Sequence, residues 1–237
     1  MAISSSSLFH FTSKFENLEK ILKHGFWPRY CIEYGWSNKY IDFALPMVCF
    51  CDIPLTQIKE HADFYGGFGI GVSPEWIRNN KNITPVQYIS HESKDFKLIG
   101  RLLTKLKNNA ITDPEISKLQ LAKKVSGKTV GKKEVLRTKK FYDEREWRYV
   151  PTMDDSGQLI QPVDKHGTFD IEGFSQKTEC QKLKLSIDDI RYLIIPNESY
   201  REKLIQFART IYNKAIPAEV DVLISKIISL KQISEDF

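Results

Sequence analysis

The chain has 237 residues, 41% of them hydrophobic and 12% aromatic, enough to bury one substantial core, and no Pro-, Gly- or Ser-rich linker divides it. A single domain over residues 1–237 is therefore expected. The opening residues Met1–Ser7 carry no basic n-region, Leu8–Phe11 is too short for a signal sequence, and no run approaches the ~20 apolar residues that cross a bilayer. These features point to a cytoplasmic protein without a membrane partner. Cys31, Cys49, Cys51 and Cys180 are too few and too scattered for a disulfide scaffold and are expected to be reduced, in or near the core.

The net charge of +5 is unevenly spread. Residues 101–140 hold twelve Lys or Arg against Asp113, Glu115 and Glu134, a local +9 that leaves −4 for the rest. Clustered cations on an acidic body suit a polyanion, nucleic acid first, because each neutralised phosphate releases counterions. A merely solvated charged face weighs equally.

In chain order, Leu8–Phe11 reads as a first strand, and Ser13-x-x-Glu16 has the spacing of a capping box. The helix it opens carries Phe15, Leu18, Ile21 and Leu22 on one face and stops at Gly25. Residues Phe26–Leu45 are aromatic and aperiodic and read as an irregular loop or lid with Trp27, Tyr30, Tyr34, Trp36 and Tyr40. Met47–Cys51 is an apolar strand, followed by a short helix through Ile58, His61 and Tyr65. Phe68–Val72 is a strand, and Ser73-Pro74-Glu75 caps a brief helix at Trp76-Ile77. Pro85–Ile89 is a further strand, and Ile99, Leu102, Leu103 and Leu106 mark a helix entering the basic segment. Ser126-Gly127 and Gly131 look like a break between helices or a flexible tip.

Phe141–Val150 alternates as a strand, with Glu144, Glu146 and Arg148 on one side and Arg145, Trp147 and Tyr149 on the other. Ile190–Ile195 is a buried strand ended by Pro196, and Asn197-Glu198-Ser199 caps a helix over Tyr200–Tyr212. Val220–Leu230 fits strand or helix equally. Strands mixed with short helices in no βαβ rhythm argue for an α+β fold with a mixed sheet, short flanking helices and a basic helical insertion.

Several residues could carry chemistry. His10 stands on a strand just before a helix, with the hydroxyls of Thr12 and Ser13 beside it; its imidazole could donate to a ribose hydroxyl, or serve only as a satisfied strand histidine. Glu144 and Glu146 share a strand face and suit a carboxylate pair, or an exposed rung of weak ion pairs with Arg148. Tyr65 and Tyr88 could stack on a planar ligand or pack in the core. The glycines of Gly66–Gly71 fit neither a Walker nor a Rossmann fingerprint and are read as backbone compliance near a ligand, or as a tight entry into the strand. Cys49-x-Cys51 has no second paired cluster, so no metal is expected.

Two resemblances sharpen this. Cys49-Phe50-Cys51-Asp52-Ile53-Pro54-Leu55, His61-x-x-x-Tyr65-Gly66-x-Phe68-Gly69-Ile70-Gly71, Pro85-Val86-x-Tyr88 and Phe141-x-x-Glu144-x-Glu146-Trp147-Arg148 are similar, in order, to the AbiGi abortive-infection proteins, over roughly residues 8–196. His10-Phe11-Thr12, Asn17-Leu18, Ile21-Leu22 and Gly25 resemble the opening block of DarT-type ADP-ribosyltransferases, with one extra residue between Thr12 and Asn17. The second resemblance implies a transferase-like core and NAD as substrate. His10, Thr12, Ser13 and Asn17 would then hold its nicotinamide half, Tyr65 or Tyr88 would stack on it, and Arg29 or Arg78 would be candidates for its phosphates. Glu146, helped by Glu144, would stabilise the oxocarbenium-like transition state as nicotinamide leaves. The first implies instead a silent binding protein, the antitoxin partner of a nucleotidyltransferase-like toxin, with the basic segment meeting an acidic surface.

Overall fold

A computed structural model describes residues 4–36, 41–130, 136–151, 159–164 and 168–236. Strand β1 (Leu8–Thr12) leads into helix α1 (Phe15–His24), and β2 (Arg29–Glu33) precedes the long β3 (Ile41–Cys51). A turn of 3₁₀-helix and α2 (Ile58–Tyr65) lead to β4 (Phe68–Val72) and α3 (Pro74–Asn79). After β5 (Ile83–Pro85) and β6 (Gln87–Ile89), the basic segment runs through α4 (Lys94–Lys107), α5 (Asp113–Leu121), β7 (Ala122–Lys124), β8 (Ser126–Val130) and β9 (Leu136–Lys140). Next come β10 (Glu146–Tyr149), β11 (Gln161–Asp164), α6 (Ile171–Gln176) and β12 (Ile190–Ile195). The chain closes with α7 (Arg201–Ile211), α8 (Pro217–Ser225), β13 (Ile227–Ser229) and α9 (Leu230–Asp236). The class is α+β, and no described helix is long and apolar enough to cross a membrane.

The main sheet runs β13-β12-β4-β1-β3-β10-β5, with β2 and β11 also pairing with β3; only its β12–β13 pair is parallel. The period-2 alternation of strands sorts the core into two faces. Leu8, Val48, Phe50, Phe68, Ile70, Leu193 and Ile195 face α1, α3, α7 and α8. On the other face, Phe9, Phe11, Cys51 and Ile194 meet α2 and α9, while Leu45 and Met47 further along meet α4 and α5.

Several expectations need correction. The Ser13 capping box does not form: the helix begins one residue later, with Lys14 at the N-cap and no side-chain cap. Ser13 is instead pressed against Gly66, where a Cβ would lie 2.3 Å from Ser13 Cα at a φ of +127°. The presumed loop Phe26–Leu45 contains β2 and the start of β3; Tyr30 and Trp36 are core residues, Tyr34 is exposed, and Tyr40 lies outside the described residues. The basic segment is not wholly helical, because Ser126-Gly127 opens a β-hairpin rather than a break; Gly131 lies outside the described residues. Pro85–Ile89 is split between two sheets, and Val220–Leu230 is divided between α8, β13 and the first residue of α9. Cys31 and Cys180 are on the surface, Cys49 is half-buried and Cys51 buried, and all four are free.

Gly69 and Gly71 have a packing cause. They lie on the face of β4 opposite Ile70, where a Cβ would come within 2.8 Å of the Phe11 ring and 2.7 Å of the Phe9 ring. The glycines make room for two core phenylalanines of β1.

Candidate functional site: a buried ionic cluster on one sheet face

The segment Phe141–Val150 is not a continuous strand. Phe141–Glu144 form a 3₁₀ turn, Arg145 takes a left-handed φ of 46°, and only Glu146–Tyr149 join the sheet. Glu144 therefore does not share the strand face by alternation; the turn brings it in from outside. Glu146 and Arg148 pair with Cys51 and Cys49 of β3 and point to the α2–α5 side, whereas Trp147 pairs with Phe50 and points to the other.

Glu146 and Arg148 are almost wholly buried, which overturns an exposed rung. Arg148 Nε donates to Glu146 Oε1 at 2.6 Å, its Nη2 donates to Glu33 at the end of β2, and its Nη1 donates to the carbonyls of Gln120 and Ala122 at 3.1 and 3.4 Å. Lys123 Nζ stands 3.2 Å from Glu146 Oε2 and 3.4 Å from Glu33 Oε1. Cys49, half-buried, pairs with Arg148 across the strands, and the Glu146 N–H donates to Tyr88 Oη at 2.8 Å. Burial opposes ionisation of Glu146, but Arg148 and Lys123 outweigh it and hold its carboxyl at about 2. Two carboxylates and two cations thus neutralise one another out of water.

Beside this quartet, Glu144 is buried and accepts a hydrogen bond from Tyr65 Oη, and Lys139 Nζ of β9 lies 2.6 Å from Glu144 Oε1. The His61 ring is 4.6 Å from the Tyr65 ring, and burial together with Lys139 lowers its pKa to about 3, so it is neutral at physiological pH.

His10 is elsewhere. Its ring packs against Phe26 and Phe50, on the sheet face opposite Glu146. Its Nδ1 lies 2.8 Å from the Cys49 carbonyl, which can only accept, so the proton sits on Nδ1; burial lowers the pKa despite that bond. Thr12 Oγ1 accepts from Asn17 Nδ2 at 2.8 Å, and Ser13 is exposed. The sheet therefore separates His10 from Glu144, Glu146, Tyr65 and Tyr88, which it brings together. Arg29 pairs with Glu172, and Arg78 with Glu75 at 2.7 Å, both at the surface.

Glu33, Lys123 and Lys139 were not legible as site residues: Glu33 sat in an apparent loop, and the lysines in a run resembling a solvated surface. A polar i, i+2 pair facing two cysteines across an apolar strand was the available signal. Among the described residues, no group of three or more His, Cys, Asp or Glu could hold a metal ion.

The family model described as abortive phage resistance protein AbiGi, antitoxin, matches residues 24–196. An abortive phage resistance protein AbiGi of Lactococcus lactis subsp. cremoris is 32% identical over 249 residues, covering 90% of this chain and 99% of that relative. No solved structure matches. The buried Glu146–Arg148 pair and the Gly-rich β4 fall within the residues that the family model matches, and on both comparisons the chain belongs to the AbiGi family of abortive phage resistance proteins.

Proposed function

We propose that the chain serves anti-phage abortive infection as a non-catalytic, antitoxin-type protein that works by binding a toxin. One observation carries this: the carboxylate best suited to catalysis, Glu146, is consumed by Arg148 and Lys123 in a closed and neutral cluster. A carboxylate that stabilises a developing cation needs net negative potential and access to the reacting carbon. A neutral quartet supplies little of the first, and a side chain 5% exposed supplies little of the second. The cluster instead ties β2, β10 and the end of α5 into one body. The test is growth of bacteria expressing this chain alone and together with the proteins encoded beside it. Harmless expression alone, and relief of a toxic neighbour's arrest, supports the reading; arrest by the chain alone that is lost in Glu146→Gln contradicts it.

A second reading, NAD-dependent ADP-ribosyl transfer, draws on the Tyr65–Glu144 pair. Tyr65 is 36% exposed, and with His61 beside it this His-Tyr-Glu grouping reaches the surface on the Glu146 face. Release of nicotinamide from labelled NAD by wild type, absent in Glu144→Gln and Glu146→Gln, would establish it. Polyanion binding by the basic segment has less to draw on, since Lys123 and Lys139 turn inward and Lys105 and Lys107 pair with Glu115 and Asp164. A steep salt dependence of nucleic-acid affinity is its signature.

A further inference from the structure

Strand β12 breaks its own alternation near its start. Ile190 pairs with Val72 and Tyr192 with Gly71, so two steps along β12 meet a single step along β4. Ile190 and Leu193 lie on the α1 face of the sheet, and Tyr192 and Ile194 on the α9 face, which leaves Arg191 as the inserted residue of a β-bulge. A bulge interrupts regular pairing and re-aims a side chain. Here it turns an exposed arginine away from both core faces.

Two clefts meet at that arginine. The first, of about 300 Å³, has Ser73, Glu75 and Asp188 in its walls; the second, of about 450 Å³, has Tyr192, Ile228 and Asp236. Arg191 and Lys226 line both. Lys226 Nζ donates to the Ile190 carbonyl at 2.7 Å, which holds the ammonium beside the bulge, and Arg191 Nη1 donates to Ser6 Oγ at 3.0 Å. An ammonium has three N–H donors and a guanidinium five, so each cation keeps donors to spare. Among the described residues neither has a carboxylate within 4.0 Å. Of the acids lining the clefts, Glu75 is engaged by Arg78 at 2.7 Å, Asp188 borders only the first and Asp236 only the second. The second cleft adds an apolar wall, because Tyr192, packed on the Phe9 ring, and Ile228 are only half-buried.

We infer that Arg191 and Lys226 form the anion seat of a small-ligand site that takes a phosphomonoester, its phosphoryl group between the two cations and its apolar body against Tyr192 and Ile228. A dianion suits two cations that converge from different elements, and the guanidinium fork matches two phosphoryl oxygens. A cleft of this volume holds a small organic ligand. Strands β4, β1 and β3 lie between β12 and β10, so the seat shares no residue with the Glu146 cluster.

An amide NMR titration of the full chain at constant ionic strength tests this, with phenyl phosphate, inorganic phosphate, benzoate and benzyl alcohol as probes. Phenyl phosphate should shift the Arg191, Tyr192, Lys226 and Ile228 amides and bind about tenfold or more tighter than inorganic phosphate or benzoate, while benzyl alcohol leaves them in place. Arg191→Gln, at an exposed position that the fold tolerates, should weaken phenyl phosphate by about tenfold or more with the spectrum otherwise native. Lys97→Gln removes an exposed charge from α4 and should leave the affinity unchanged. An affinity unaltered by Arg191→Gln, or lowered as much by Lys97→Gln, overturns the inference. So does phenyl phosphate that binds no tighter than benzoate or inorganic phosphate, or whose shifts scatter over the surface lysines.

Discussion

Arg148 of β10 and Glu33 at the end of β2 are joined by a hydrogen bond inside the protein, although 115 residues separate them along the chain. Arg148 → Met would leave Glu33 and Glu146 facing each other in a desolvated site with Lys123 alone between them. Breaking one partner of a buried pair typically costs about 3–5 kcal/mol, because a charge is left uncompensated. Urea unfolding should register that loss as a lower midpoint. Adding Glu33→Gln to Arg148→Met should recover part of it, and a double variant less stable than the single one would contradict the arrangement.

The same face contributes to the acid response, as does the buried His10 on the other face. His61 has a folded pKa of about 3 against an ordinary 6.5, so the unfolded chain binds more protons between those values. Its contribution is complete above pH 6.5 and is lost as pH falls toward 3, at up to ~1.4 kcal/mol per pH unit. Glu146, held at about 2 against 4.5, adds a second loss of the same sign only below pH 4.5. Between pH 6.5 and 4.5 the decline should therefore be shallower in His61→Gln than in wild type. Equal slopes in urea titrations across that window would contradict the half-buried neutral imidazole.

Gly71 is wedged between rings, with a Cβ there 2.7 Å from Phe9 and 3.0 Å from Tyr192. Gly71→Ala should destabilise by about 1–3 kcal/mol through overpacking. Phe9→Leu should relieve much of this in the double variant, giving a coupling energy that additive sites would not show. Additivity would mean that the glycine is there for another reason.

Much of the fold could be read from local signals. Ser73 caps α3 by accepting from the Trp76 N–H at 3.1 Å, and Ile99, Leu102, Leu103 and Leu106 are the buried face of α4. Gly25, at a φ of +83°, ends α1 as its position implied. Long-range pairing was not legible: β2 becomes a strand only because residues 43–47 lie antiparallel to it, and its aromatic residues carry no clear period. The same holds for the site. Glu146 and Arg148 were visible as a pair, but their burial depends on Lys123 and Glu33, which the chain brings from distant segments. Strand parity alone forbids His10 and Glu146 a common face, yet it becomes usable only once the β1–β3–β10 register is known.

On the proposed antitoxin-type reading, Glu146 holds the protein together and does not perform chemistry. Its direct test is the plating efficiency of phage on cells carrying the native defence locus with wild type or with Glu146→Gln, read beside the steady-state level and unfolding midpoint of each protein. Protection that tracks the amount of folded protein, and is retained wherever Glu146→Gln folds, is the expected result. A fully folded Glu146→Gln protein at wild-type level that no longer protects would contradict it.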